Sequence, residues 1–283
     1  MQFIFRFFRH YLLAIQFFTR IPVTGRLAAW VGYSPEMLRA SAAHFPGVGV
    51  LVGALVAVLT AVLLVFLPQS SPLSPLAAAV LGTVFSVMLT GAFHEDGLAD
   101  IADGLGGSQN RERALEIMKD SRVGAFGAIA VVLVLLAKVT LLAVIGDVNA
   151  EAMVVGIFLA HVASRTFPLL LIRLLPHVGD LAGSKSKPLA DQISDSCLVV
   201  AVLWLFLAIS SVFIAYEAID LIAVVLLPMV AASVAFVYMW RLFSKRLQGF
   251  TGDCLGATQQ VCEVAFYLGM ALSQFPLNLP SQT

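Results

Sequence analysis

Between His94 and Gly127 the chain reads HEDGLADIADGLGGSQNRERALEIMKDSRVGAFG, with Asp96, Asp100 and Asp103 at i, i+4 and i+7. At about 100° per residue these three fall within roughly 60° of one another on a helix face. Such a stripe repels itself and raises its own pKa values unless a cation neutralises it. Oxygen donors of this kind suit Mg²⁺, with Mn²⁺ as the alternative, and no histidine cluster or thiolate argues for zinc. Glu95 points about 100° away from Asp96 on the same helix and is the weaker candidate ligand. A solvated helix start also favours acidic residues. That reading leaves unexplained both the single stripe and the glycines threaded through it, Gly97, Gly104, Gly106 and Gly107.

Those glycines, Gly104 and Gly107 above all, are expected to let backbone approach a diphosphate laid over the carboxylates. The turn is no P-loop, because the Lys-Ser/Thr pair and the preceding strand are missing. Arg111, Arg113, Lys119 and Arg122 follow the stripe. Lys119 and Arg122, with Ser121 between them, have the spacing to grip phosphate oxygens. The competing reading pairs them with Glu116 and Asp120, each pair worth a few tenths of a kcal/mol. A second polar cluster, GFTGDCLGATQQVCEV at 249–264, brings Thr251, Asp253 and Glu263 before or into the last apolar segment. Asp253 there is either a helix cap or a substrate contact.

The elements that must carry these residues are membrane spans. Of 283 residues 60% are hydrophobic and 12% charged, about half the charge of a soluble domain, and mean hydropathy is +0.94. Equal numbers of basic and acidic residues, 17 each, leave no net charge for nucleic acid. The composition also excludes disulfide scaffolds and disordered tails. Cys197, Cys254 and Cys262 have no zinc spacing and read as small apolar side chains.

Six apolar runs can each cross a bilayer: 46–67, 76–93, 123–145, 152–175, 197–216 and 219–240. A seventh, 260–279, carries Glu263 and spans, re-enters or packs in the core. The expected fold is all-α, a polytopic membrane bundle of six to seven spans with an N-terminal interfacial helix. That helix would use Phe3, Phe7, Phe8 and Leu12 as its apolar face. One catalytic domain covers 1–283, with 1–45 as the interfacial region and 94–122 as the metal and phosphate loop.

Connections 1–45, 94–122, 173–196 and 241–259 hold 15 of the 17 basic residues, and connections 68–75, 146–151 and 217–220 hold none. The two sets alternate, so the first is expected to face the cytoplasm. Lys138 and Arg165 are left inside spans, where a charge needs a partner or a polar cavity. Arg165 is weighed equally as a site contact and as half of an ion pair. HFPGVGVLVGA at 44–54 reads as small-residue helix packing through Gly47, Gly49 and Gly53. The polar segment 177–196 could cover the site as a lid.

HEDGLADIADGLGG followed by RALEIMKDSRVGAFG, with RIPV at 20–23, FPGVGVLVGA at 45–54 and TGDCLGA at 251–257, resembles the cobalamin synthase family, the adenosylcobinamide-GDP ribazoletransferases. The resemblance runs over essentially the whole chain. It implies an Mg²⁺-dependent enzyme of the inner membrane, working at its cytoplasmic face. Such an enzyme joins the phosphoryl end of adenosylcobinamide-GDP to α-ribazole, or to α-ribazole 5′-phosphate, and releases GMP. The product would be adenosylcobalamin or its 5′-phosphate. The Asp pattern is also similar to that of the CDP-alcohol phosphotransferases, but Leu98, Ala99 and Asp100 stand where their Ala-Arg pair would follow the first glycine.

On this reading a metal held by Asp96, Asp100 and Asp103 neutralises the diphosphate, and Lys119, Arg122 and Arg165 stabilise the moving charge. Asp120, Asp253 and His94 are the candidate bases for the attacking ribose hydroxyl, and the sequence does not choose among them. A lipid headgroup transferase would share the stripe. A transporter would place its charges at mid-membrane in two related halves, whereas 12 of the 17 acidic residues lie in the basic set of loops. Membrane lipid is an expected partner, nucleic acid is not, and a homo-oligomer is left open.

Overall fold

The computed structural model describes residues 2–179, 193–216 and 222–274. The chain begins with α1 (Gln2–Phe18), α2 (Gly25–Val31), α3 (Pro35–Ser41) and a 3₁₀ turn (Ala42–His44) that runs into α4 (Phe45–Phe66). Next come α5 (Ser74–Thr90), α6 (Phe93–Gly107), α7 (Arg111–Ile117), α8 (Ala125–Val148) and α9 (Ala150–Leu174). The last described elements are α10 (Asp195–Ala215), α11 (Leu227–Arg246), entered through a π turn at Ile222–Leu226, and α12 (Gly252–Ser273). The protein is an all-α polytopic membrane bundle. Among the described residues the one extended pairing is an isolated bridge between His177 and Phe250.

Local chemistry sets the boundaries. Proline occupies the first turn of α3, α4, α5 and α11, where its missing N–H costs nothing. Ser34, Asn110, Asn149 and Ser194 each accept an amide three residues on and so start α3, α7, α9 and α10.

Five stretches are long and apolar enough to cross a membrane: Pro35–Phe66, Ala125–Val148, Ala150–Leu174, Asp195–Ala215 and Ala223–Arg246. The expected run 76–93 behaves differently. α5 ends at Thr90, Gly91 and Ala92 both take left-handed backbone (φ 68° and 58°), and α6 leaves at 89° to α5. If that bent pair counts as one crossing, there are six.

The seventh apolar segment also starts earlier than its hydropathy suggests. α12 begins at Gly252, so the polar stretch DCLGATQQ is its first half. Together with α9 it forms the centre of the bundle. The apolar window of α9 is 83% buried, while those of α8 and α10 are 17% buried and present their apolar sides outward. Glycines make the inner packing close: a Cβ on Gly53 of α4 would lie 2.9 Å from the Phe158 carbonyl oxygen of α9. The N-terminal α1 buries Leu13, Ala14, Ile15 and Phe18, and leaves Ile4, Phe5 and Phe8 exposed. The lid proposed for 177–196 falls largely on 180–192, and the connection 217–220 is likewise outside the described residues.

Candidate active site

After the 89° bend the carboxylate helix α6 packs next to the first turn of α12. Two glycines allow that approach. A Cβ on Gly97 would sit 2.9 Å from the Asp253 carbonyl oxygen, and one on Gly256 would sit 3.2 Å from that of His94. Gly97 therefore admits another helix rather than a ligand. Gly104 does the same for α7, since a Cβ there would lie 2.9 Å from the Ala114 carbonyl oxygen, and Gly107 meets Ile117 at 3.1 Å. Helix packing thus occupies the space at Gly104, while Gly107 is exposed and borders a cleft.

The interlock brings Asp253 to the stripe. Asp96 is exposed and Asp100 half-buried. Burial raises the Asp100 carboxyl to about 7, helped by the charges of Asp253, Asp96 and Asp103. Burial also raises that of Asp253, opposed by a hydrogen bond from Thr251 Oγ1 at 3.2 Å and reinforced by Asp96. Thr251, not Asp253, is the residue that precedes α12 as its cap, with its own amide donating to Cys254 Sγ at 3.3 Å. Asp253 is left beside the stripe, and of these carboxyls those of Asp100 and Asp253 are raised.

Asp103 is engaged differently. Its two oxygens accept the amides of Gly124 (2.7 Å) and Gly127 (2.8 Å) and so cap α8 from another helix. The carboxylate oxygens of Asp96 and Asp100 are of the donor type that suits a hard divalent cation. Among the described residues no three acidic, histidine or cysteine side chains converge on one ion position.

A cleft of about 660 Å³ opens beside Asp103 and is lined by Gly107, Arg113, Asp120, Arg122 and Phe126 among others. Its arginines are already paired. Arg122 takes Asp120 through two nitrogens at 3.0 and 2.5 Å, and Arg113 takes Glu116 at 2.6 Å. The Arg122 guanidinium holds the Asp120 carboxyl down at about 2, which makes Asp120 a poor proton acceptor. Lys119 and Ser121 are exposed on the turn that follows α7. The loop is tied to the bundle by Arg111 Nε on the Leu247 carbonyl (2.6 Å) and Arg246 on that of Ser108 (2.7 Å).

Three expected site residues point inward instead. His94 is 1% exposed, stacks on Phe45 at 5.7 Å and keeps a buried Nε2 without a partner. Burial holds its imidazole well below the ordinary range, and it does not border the cleft. Arg165 is equally buried and donates to the His161 carbonyl and ring at 2.9 Å. Glu95 faces α12, where Gln260 Nε2 donates to it at 3.0 Å. Gln259 and Gln260 escaped the sequence reading. The available signal was two unmatched intramembrane cations, Lys138 and Arg165, with Glu263 among polar neighbours.

The chain matches the family described as Cobalamin-5-phosphate synthase over residues 10–271. It is 65% identical over 277 residues to the adenosylcobinamide-GDP ribazoletransferase of Albidiferax ferrireducens, covering 94% of this chain and 99% of that one. To the protein of the same name from Polaromonas sp. it is 59% identical over 284 residues, covering 95% and 98%. With that from Vibrio cholerae it shares 43% over 259 residues, 91% of each. No solved structure matches the chain. The interlocked carboxylates of α6 and α12, both within the matched range, thus sit in a chain that belongs to the Cobalamin-5-phosphate synthase family.

Proposed function

We propose that this chain transfers the adenosylcobinamide phosphoryl group from adenosylcobinamide-GDP to α-ribazole, or to α-ribazole 5′-phosphate. Adenosylcobalamin, or its 5′-phosphate, and GMP are the products of this late step of cobalamin biosynthesis. The names of the relatives support the substrates. The observation that carries the chemistry is the close approach of α6 to α12 at Gly97, between Asp96 and Asp100, where a Cβ would lie 2.9 Å from the Asp253 carbonyl oxygen.

In the reaction the ribose hydroxyl oxygen attacks the phosphorus next to cobinamide. The bond from that phosphorus to the bridging oxygen breaks, and its electrons leave with GMP. The hydroxyl proton passes to Asp253, the one of the three candidate bases that is neither locked in an ion pair nor sealed in the core. Asp96 and Asp100 would hold Mg²⁺ or Mn²⁺, which when bound supplies charge neutralisation at the diphosphate. Arg122 would meet phosphate oxygens at the cleft, exchanging Asp120 for the ligand, with Lys119 and Ser121 exposed on the same turn to add contacts. The basic loops support an orientation with this face in the cytoplasm and the bundle in the inner membrane. The outward apolar sides of α8 and α10 support lipid as the surrounding partner.

The test incubates the protein in liposomes with adenosylcobinamide-GDP and α-ribazole, with and without Mg²⁺. GMP release and cobalamin formation in equal amounts are expected, and both should stop in Asp96→Ala and Asp100→Ala. Full turnover in excess chelator would remove the metal. Turnover of a CDP-alcohol or diacylglycerol substrate in place of the corrinoid would replace the reading with a lipid headgroup transferase.

A further inference from the structure

Halfway along α8 and α12, Lys138 Nζ lies 2.6 Å from Glu263 Oε1, with both side chains almost fully buried. A chain of hydrogen bonds leads from that pair to the carboxylate helix. Gln259 Nε2 donates to Glu263 Oε2 at 2.6 Å and to Ser164 Oγ at 3.0 Å. Gln260 Nε2 donates to Gln259 Oε1 at 2.9 Å and to Glu95 Oε1 at 3.0 Å.

The direction of every bond is forced. An ammonium can only donate and a carboxylate can only accept, so Lys138 fixes Glu263 as an acceptor and Glu263 requires the amide nitrogen of Gln259. The Gln259 oxygen is then left to face Gln260, which must answer with its own nitrogen. That nitrogen carries two hydrogens, and the second serves Glu95.

We infer that Gln259, Gln260 and the Lys138–Glu263 pair are positioning residues that clamp Glu95, and with it the register of α6 against α12. This register is what sets Asp96 and Asp100 opposite Asp253, because Asp253 and Gln260 ride on one helix and Glu95 and Asp100 on the other. Glu95 is accordingly an anchor and not a metal ligand. The arrangement is costly: Glu95 Oε2 and Gln260 Oε1 are buried with no partner, and an unpartnered buried polar atom destabilises a fold. A pair of apolar residues would join the two helices without that cost, but it would not fix their register by direction. The inference rests on the metal reading above only in where the clamp's effect is felt.

The test uses the full chain in nanodiscs without substrates and has two arms. One measures hydrogen exchange of backbone amides 94–104 in the metal-free protein, with 45–66 as internal control. The other titrates Mn²⁺ alone and follows it by electron paramagnetic resonance. Gln260→Met keeps the volume and removes the donor. It should speed exchange in 94–104 without changing 45–66, and weaken Mn²⁺ binding by about tenfold, as typical for residues that orient ligands. Glu95→Ala should do the same. Glu95→Gln keeps the accepting oxygen and should restore both readouts to near wild type.

Unchanged α6 exchange in Gln260→Met would overturn the clamp. Loss of Mn²⁺ binding in Glu95→Gln, with exchange still protected, would make Glu95 a ligand and overturn the anchor role. If the wild-type protein binds no Mn²⁺, the metal reading fails, and the exchange arm alone decides the clamp.

Discussion

Asp103 reaches from the end of one helix to the start of another, where its carboxylate takes the amide of Gly127 at 2.8 Å and that of Gly124 at 2.7 Å. A helix start leaves such amides without partners, and an acidic side chain there also meets the positive end of the dipole. Asp103→Asn keeps one accepting oxygen and should lower stability by about 1 kcal/mol, the usual value of a cap. On the proposed metal reading, the Mg²⁺ concentration for half-maximal turnover should stay within a few-fold of wild type. A full loss of metal dependence with unchanged thermal stability would return Asp103 to the metal ligands.

The buried pair at 2.6 Å between Lys138 and Glu263 gives the next expectation. Lys138→Met leaves a buried carboxylate without its counter-charge, a loss of about 3–5 kcal/mol, so the variant should accumulate poorly. Lys138→Met combined with Glu263→Leu removes both charges and should accumulate well. Expression and thermal unfolding in detergent read the difference. A double variant as poorly expressed as the single would show that the pair is not what the core needs.

Asp100 sets a pH dependence. Its carboxyl sits at about 7 in the fold and near the ordinary aspartate value in the unfolded chain. Between those values the folded protein holds a proton that the unfolded chain has released. Stability therefore falls as pH rises through that window. In chelator the thermal midpoint should be higher at pH 5 than at pH 8, and Asp100→Asn should flatten that slope. A slope identical in the variant would assign it to another group.

Arg122 separates a phosphate clamp from a surface pair. Arg122→Lys keeps the charge and loses the planar fork, and kcat should fall by about 100-fold if the fork meets the transition state. Asp120→Asn frees the guanidinium and should spare kcat. Unchanged kcat in Arg122→Lys, with slightly lowered stability, would leave only the ion pair.

The helical membrane class and most span boundaries were legible because a continuous apolar run has no soluble alternative. The stripe at Asp96, Asp100 and Asp103 was legible because period alone puts those residues on one face. What period cannot tell is who shares the face. Nothing in the sequence ties Gly124 and Gly127 to Asp103, and only the fold shows its carboxylate occupying the space a Cβ would need at both. The start of α12 was misplaced because hydropathy finds apolar runs, while Gln259, Gln260 and Glu263 are polar residues buried against other polar residues. The 100° offset of Glu95 from the stripe was legible, but its partner lies 165 residues away.

The polarity of α12 has a consequence for biogenesis. A segment carrying Asp253, Gln259, Gln260 and Glu263 is poorly suited to enter lipid by itself. It follows the five candidate spans in the chain, so its docking site on α8 and α9 is already synthesised when it emerges. Lys138 and Ser164 on those helices are the partners that Glu263 and Gln259 of α12 meet in the fold. Before α12 packs, α6 lacks Asp253. A nascent chain that has inserted every span would still be unable to perform the transfer.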